Sequence, residues 1–524
     1  MTPLSSLSRK PGPANAAAGN TETPDATPGP LRTGVRGHLS LGLRSALVVG
    51  LTATLASCTS LSPASTTSSP LPTGSAACKV IGEQGFAPNA KSSHQSVKVA
   101  TAFSQEEAER FDESVKAFEE CTGIDVVQEA TDQLESKMRA INPAVISPSW
   151  RTDLAVLPQP GLARDLAELG VTAPLSRSVQ GNVELGWDRT WAEVGTVDDV
   201  AYAAPLLASV KSFVWYSPQT FAQAGYQVPS SWAELQSLTA KIIADHPSGD
   251  VQPWCLGISD GGASGWTLSD WLEEVLLATK GSTAYDQWAR HKVPLNDPSA
   301  VEALKQVDAL VLADGHVTGN RQGALNTTVE LAGQQLAQGS CLMLHASSAY
   351  ETLLPEGTTV RSAQEAEVGA QIAPKSLDAF PFPVTAPDDP VLVGGDYLVR
   401  VATPFDTQDP SGALQEPTGS GHAEAVTAVM RYLTSADWVR RRVALGGVTA
   451  GNRAVRPEDV SSAVGRRATK KLQSRQVAIR FDASDSMPSS VGTASLWEAL
   501  VGWAGGGKTA EAALKEAEES WPTH

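Results

Sequence analysis

The sequence predicts an α/β protein built as two lobes, and three observations lead there. Short buried strand patterns alternate with amphipathic helices early in the body, a helix-rich middle follows, and strand patterns return before the C-terminal part. The body, about 440 residues long, is large enough for two hydrophobic cores.

Taken in order, 97–103 reads as a buried strand, and Ser104 with Glu107 forms a capping box that opens a helix whose apolar face carries Phe111, Val115 and Phe118 before Gly123. Further strands are expected at 124–127 and 154–157, with a helix over 162–169, which makes a βαβαβα unit on a parallel sheet. From Pro205 a strand-like segment, 209–216, leads into helices at 232–246, 266–280, 298–313 and 328–337. Short apolar strands recur at 255–258 and 341–344. A strand at 396–401 and helices at 423–433, 436–444 and 496–503 complete the pattern, so the chain crosses between lobes several times.

Ahead of the body, an apolar run begins near Ser45, preceded by Arg32, Arg36 and Arg44, and closes on Leu55-Ala56-Ser57-Cys58. It is too short to span a bilayer and ends in small residues, as a processed secretion signal does. The segment resembles the bacterial lipobox, which implies lipid on Cys58 and a body anchored at the outer face of the cell membrane. The stretch before Ser45 is long for a signal peptide, and a start codon placed too far upstream accounts for it. After Cys58 the chain is rich in Ser, Thr and Pro, without periodicity, and reads as a flexible tether. The expected division is a signal peptide over 1–57, lipidated cysteine and tether over 58–82, a first lobe over 83–205 plus 390–450, and a second over 206–389 plus 451–524.

The first 57 residues hold five Lys/Arg against two Asp/Glu, so the remainder carries 35 against 55, a net of −20. Such a surface argues against nucleic acid and anionic substrates. Beyond Cys58, four cysteines remain, Cys78, Cys121, Cys255 and Cys341, an even count for an oxidising compartment. Three connectivities are open; Cys78–Cys121 with Cys255–Cys341 is favoured, because each pair staples one compact region. A zinc site is the competing use, but no CxxC or HxxxH spacing exists, and no metal or other cofactor is expected.

The segments PQPGL (158–162), VKSFVWYSP (210–218), QPWCLGI (252–258), SGWTLSDW (264–271), NRQG (320–323), CLMLHA (341–346), VGGDYLV (393–399) and RFDASDSMP (480–488) carry a resemblance in this order. The chain is similar to the carbohydrate-binding lipoproteins of ABC importers, family 1 solute-binding proteins, and within them to the α-glucoside and maltose type. That resemblance implies a periplasmic-binding-protein-like fold with a sugar cleft between the lobes. It also implies closure by a hinge, delivery to the permease subunits of the transporter, and no catalysis. A monomer is expected. The segments 357–370 and 403–421 match nothing in that pattern.

A neutral sugar offers apolar C–H faces and a rim of hydroxyls, so its site needs flat aromatic rings and fixed donors and acceptors. The chain holds 13 Trp against 10 Phe and 7 Tyr. Trp266, Trp271 and Trp497 are the preferred platforms, although Trp271 sits at helical spacing with Val275 and reads equally as core. Trp232, Trp438 and Trp503 read as structural. Polar candidates are Gln159, Lys211, Asp270, Arg321, Asp396 and Asp482, with an interlobe ion pair as the other reading of Arg321 and Asp482. His345 reads as structural.

Enzyme readings compete. Gly257-Ile258-Ser259-Asp260-Gly261 fits the G-x-S-x-G pattern, and Ser259, Asp396 and His422 occur in esterase order, but no helix directly follows the serine. Asp270 with Asp482, or Asp260 with Asp396, would be the carboxylate pair of a secreted glycoside hydrolase. The stretch 502–509 matches the phosphate-loop pattern yet follows a helix rather than a strand, and reads as a connection between helices.

Overall fold

The structure, a computed structural model, describes residues 71–86, 95–142, 151–361, 376–416 and 421–522. The signal segment, Cys58 and most of the tether lie outside them, as do 362–370 and 417–420.

The first sheet grows from the predicted alternation. Strands Ser96–Thr101, Asp125–Ala130 and Leu154–Leu157 pair in parallel with Ser96–Thr101 in the middle. Val97, Val99 and all of Leu154–Leu157 are buried, as parallel strands covered on both faces require. Helix Gln105–Thr122 starts on the Ser104–Glu107 capping box and buries Phe111, Val115 and Phe118 against the sheet's outer helices, where Phe118 stacks on Tyr432 at 4.5 Å.

The long strand Pro390–Val401 then joins this sheet antiparallel to Leu154–Leu157 and to Ala203–Val210, and parallel to Ala478–Phe481. Gly395 is obligatory in it: a Cβ there would stand 2.9 Å from the Trp191 ring and 2.9 Å from the Leu207 carbonyl oxygen. The pairing with Ala203–Val210 slips between Asp396 and Tyr397, a bulge of the kind that re-aims a side chain.

The second sheet has the order Thr359–Val360, Ser376–Pro381, Phe213–Tyr216, Cys341–His345, Gln252–Trp254. Helices Trp266–Ala289, Pro298–Val307, Leu496–Ala504 and Ala510–Glu518 pack around it. The first is broken at Gly281, whose φ of 80° and ψ of 173° interrupt the helical ladder.

Several expectations change in detail. The segment 209–216 is two strands in two sheets, because the chain crosses between lobes at Lys211 and Ser212. Residues 308–312 form a π turn after Val307 rather than more α-helix. The tether, read over 58–82, gives way earlier: Gly74–Glu83 is a helix, with Ala77 and Ile81 buried and Cys78 bonded to Cys121 of Gln105–Thr122. A second disulfide links Cys255 to Cys341 across the second sheet. Helix Ala463–Leu472, placed with the second lobe by sequence, packs on Ala203–Val210 of the first sheet and on Ser376–Pro381 of the second, and so bridges them. The glycines of 502–509 connect helices Leu496–Ala504 and Ala510–Glu518, and Lys508 pairs with Glu516 of the second.

Candidate functional site

Between the two sheets lies a cleft of about 320 Å³, a size suited to a small ligand. One wall is made of strand ends from the first sheet: Gln159 after Leu154–Leu157, Leu207–Ser209 within Ala203–Val210, and Gly394, Gly395 and Asp396 of the long strand. The other is the start of helix Trp266–Ala289 together with Trp497 of Leu496–Ala504.

The aromatic wall is internally braced. Trp497 donates its indole N–H to Ser269 Oγ at 3.0 Å, and Trp266 donates its own to Asp260 Oδ2 at 2.7 Å. Gly265, with φ of 108°, lets the two segments meet: a Cβ there would lie 2.7 Å from the Trp497 carbonyl oxygen. Both rings are thus held by their polar edges; Trp266 keeps partly exposed apolar surface at the cleft, while Trp497, 5% exposed, backs it.

On the opposite wall, polar groups stand ready without partners. Among the described residues no group hydrogen-bonds to the Asp396 carboxylate or to the Gln159 side-chain amide, and both face the cleft. Burial, and then the nearby Glu107, push the Asp396 carboxyl up to about 7, with Arg442 opposing.

Lys211 closes the floor, on the crossing between lobes. Its ammonium donates to Asp482 Oδ2 at 2.6 Å, Asp270 Oδ1 at 2.9 Å and Asp485 Oδ2 at 3.3 Å. Three carboxylates therefore share one buried cation, and they divide the charge unequally. Burial raises Asp482, but Lys211 and the backbone N–H of Asp485 outweigh it and hold that carboxyl below its ordinary value. Asp485 is pushed up to about 7 by burial and by Asp482, while burial holds Asp270 well above the ordinary range. Glu273, one turn along from Asp270, accepts from Ala483 N at 2.5 Å and Ser484 N at 2.9 Å, pinning helix Ala483–Ser486 to the second lobe.

Of the residues singled out by sequence, Trp266, Trp497, Gln159, Lys211, Asp270 and Asp396 line this one cleft. Two do not. Trp271 is 1% exposed and packs edge-on against Trp254 and Phe382 and beside His345, so it is core: its helical spacing with Val275 turns it toward the second sheet. Arg321 sits on helix Asn320–Asn326, paired with Asp308 and bonded to the Ala504 carbonyl, so it locks helices of the second lobe together away from the cleft. Glu107, Ser209, Ser269, Thr449, Ser484 and Asp485 also line the cleft and escaped the sequence reading. Only Asp485 had a local signal, in RFDASDSMP; Glu107 was visible only as a helix cap.

The carboxylate and triad readings meet different geometry. Asp270 and Asp482 both spend their charge on Lys211, Asp260 is bonded to Trp266, and His422 bonds to Asp153 at 2.8 Å rather than to Asp396.

A second, larger recess of about 870 Å³ lies behind the segment 478–488. Phe481, Ser486 and Met487 face it, while Ser484 and Asp485 face the cleft. Its rim carries Trp521, whose ring stacks on His291 at 3.7 Å.

Two α/β lobes joined through Lys211–Ser212, with a braced aromatic wall facing unpartnered polar groups across a cleft, give the architecture of a two-lobe binding protein. Comparison with known proteins agrees. The sequence profile of bacterial extracellular solute-binding proteins matches residues 102–440. The chain is 30% identical over 444 residues to the osmoprotective compounds-binding protein GgtB of Synechocystis sp., covering 84% of this chain and 95% of that protein. It is 27% identical over 407 residues to the alpha-glucosides-binding periplasmic protein AglE of Rhizobium meliloti, covering 76% and 80%. Among solved structures, the bacterial solute receptor AcbH superposes with a TM-score of 0.62 at 14% identity, over 81% of this chain and 98% of that one. The chain belongs to the bacterial extracellular solute-binding protein family, the binding components of ABC importers.

Proposed function

We propose that this protein captures an α-linked oligosaccharide such as maltose, trehalose or sucrose, and delivers it to the permease of an ABC importer without transforming it. The observation that carries the reading is the pairing of two edge-braced indoles, Trp266 and Trp497, with the unpartnered Asp396 and Gln159 across one cleft. Rings take the C–H faces of a sugar, and the free acceptor and amide take its hydroxyls. AglE, whose name records alpha-glucosides, supports the substrate class.

The hinge of this reading comprises Lys211–Ser212, the stretch 382–390 and Asp482, with the lobes divided there. Lys211 holds the crossings in register while the lobes move, because its partners come from the second lobe (Asp270) and from the last crossing (Asp482 and Asp485). Lipid on Cys58 keeps the monomer at the outer face of the membrane, near its transporter.

The test is calorimetry and Trp fluorescence with maltose, trehalose, sucrose and longer glucans, while the sugar is recovered and quantified. A saturable fluorescence change with a raised Tm and intact sugar is expected. Consumption of the sugar would mean a hydrolase.

A further inference from the structure

We propose that the surface around the loop 451–459 and the end of helix Ala463–Leu472 is a contact face for an anionic phospholipid membrane, placed beside the point where the tether joins the body. Its biological setting rests on the lipid anchor proposed above; the contact itself does not.

The charge distribution comes first. Residues 436–476 hold ten Lys/Arg against three Asp/Glu, within a body whose net charge is −20. Four of the ten turn away from this face or inward: Arg441 and Arg442 are buried, Arg466 bonds to the Val460 and Ser461 carbonyls, and Arg467 pairs with Asp378. The others are gathered by the fold. Arg440 donates to the Ala454 carbonyl at 2.9 Å, which brings it to Arg453 and Arg456. Gln473 donates to the carbonyls of Asn452 at 2.9 Å and Val455 at 2.8 Å, which brings Lys470, Lys471 and Arg475 to the same loop.

The nearby acids are already used: Asp437 on Arg441, Glu458 and Asp459 on Arg456, and Asp188 on Arg453. Arg440, Lys470, Lys471 and Arg475 have no ion pair among the described residues, and Arg440, Lys470 and Arg475 are exposed.

The second, independent observation is where the chain comes in. Arg441, one residue along the helix from Arg440, donates to the carbonyl of Pro72 at 3.1 Å. Cys58 lies 14 residues earlier, so a lipid there would hold this face within about 50 Å of the bilayer at full extension. Attraction between Lys or Arg and anionic headgroups acts within a Debye length of about 8 Å, and tethering replaces the search for the surface. The acidic remainder of the body is repelled by the same surface. The patch is therefore the face an anionic bilayer selects.

The full chain with Cys58→Ser, which removes the lipid, is sedimented with vesicles of phosphatidylcholine alone and with added phosphatidylglycerol. Binding to the anionic vesicles only, lost in high salt, is expected. It should weaken at least about tenfold in the Arg440→Glu/Lys470→Glu/Lys471→Glu/Arg475→Glu variant. The variant's far-UV circular dichroism and cooperative thermal unfolding should match those of the parent, which shows that it is folded. Equal binding to both vesicle types, no binding, or unchanged binding by the folded variant overturns the proposal. So does a variant that binds vesicles normally but fails in transport, since the patch then serves an acidic protein surface. Mass spectrometry of Cys58 in the native protein tests the anchor separately, and a bare thiol there removes the anchor while leaving the vesicle result standing.

Discussion

One wall of the cleft is made of strand ends and glycines, the other of a helix start and two indoles, and their side chains are held in opposite ways. On the strand wall, backbone geometry does the positioning: Gly394 and Gly395 admit close neighbours and a bulge aims Asp396, which is left without a partner. On the helix wall, hydrogen bonds do it, with Trp266 tied to Asp260 and Trp497 to Ser269. The difference teaches that the aromatic wall is preorganised by its side chains, whereas the polar wall is rigid in its backbone and keeps its hydrogen-bonding capacity free for a ligand.

The strongest way to break this comparison uses two tryptophans of one helix. Trp271→Ala should lower stability by about 3–5 kcal/mol in denaturant titrations and leave the Kd of the folded protein for sugar unchanged. Trp266→Ala should weaken sugar binding at least about tenfold with under about 1 kcal/mol of stability lost. If the two variants bind alike, the assignment of the aromatic wall falls.

Next in size is Lys211→Met. Removing the shared ammonium strands the buried Asp270 and Asp482 and the partly buried Asp485, at a cost of about 3–5 kcal/mol. The loss should shrink on going from pH 8 to pH 5, because protonation relieves the stranded charge. A Tm deficit that is the same at both pH values would show that Lys211 is not the counter-ion of the group.

Gly395→Ala should cost about 1–3 kcal/mol, since the added methyl meets Trp191 and the Leu207 carbonyl. Unchanged thermal unfolding would mean that the strand wall is softer than described.

The last prediction is read as a pH slope and concerns Asp396. Its carboxyl rises from 3.8 to about 7 in the fold, so between those values the native state holds a proton that the unfolded chain has released. The contribution of Asp396 to stability therefore declines as pH rises from about 4 to 7 and levels off above. Asp396→Asn should remove that contribution, so that the variant gains on the parent as pH rises from about 4 to 8 in thermal unfolding. Sugar binding runs the other way, because a hydroxyl donates best to the ionised form: affinity of the native protein should rise through pH 7, and that of the variant should stay flat.

Local features carried much of this. The capping box of Ser104 and Glu107, the buried run at 154–157 and the helices after Ser231 and Ser435 were legible because caps and periodicity act over a few residues. Six cleft residues were legible as residue types suited to a sugar. What stayed hidden was tertiary. Nothing near Trp271 in the chain reveals the Trp254 ring 5.0 Å away, and nothing near Arg321 reveals Asp308 as its partner across a turn. Glu107 announces itself only as a cap, and its second position, on the cleft, follows from the strand that precedes it.

The segment 478–488 is a party wall between two chambers. Its Ser484 and Asp485 border the smaller, its Phe481 and Met487 the larger, and any displacement of that wall enlarges one room at the expense of the other. Trp521, stacked on His291 at the rim of the larger room, stands outside the cleft yet beside the wall that would shift. A dye or a fluorinated indole at that rim would therefore read any movement of the wall from behind, without touching the cleft.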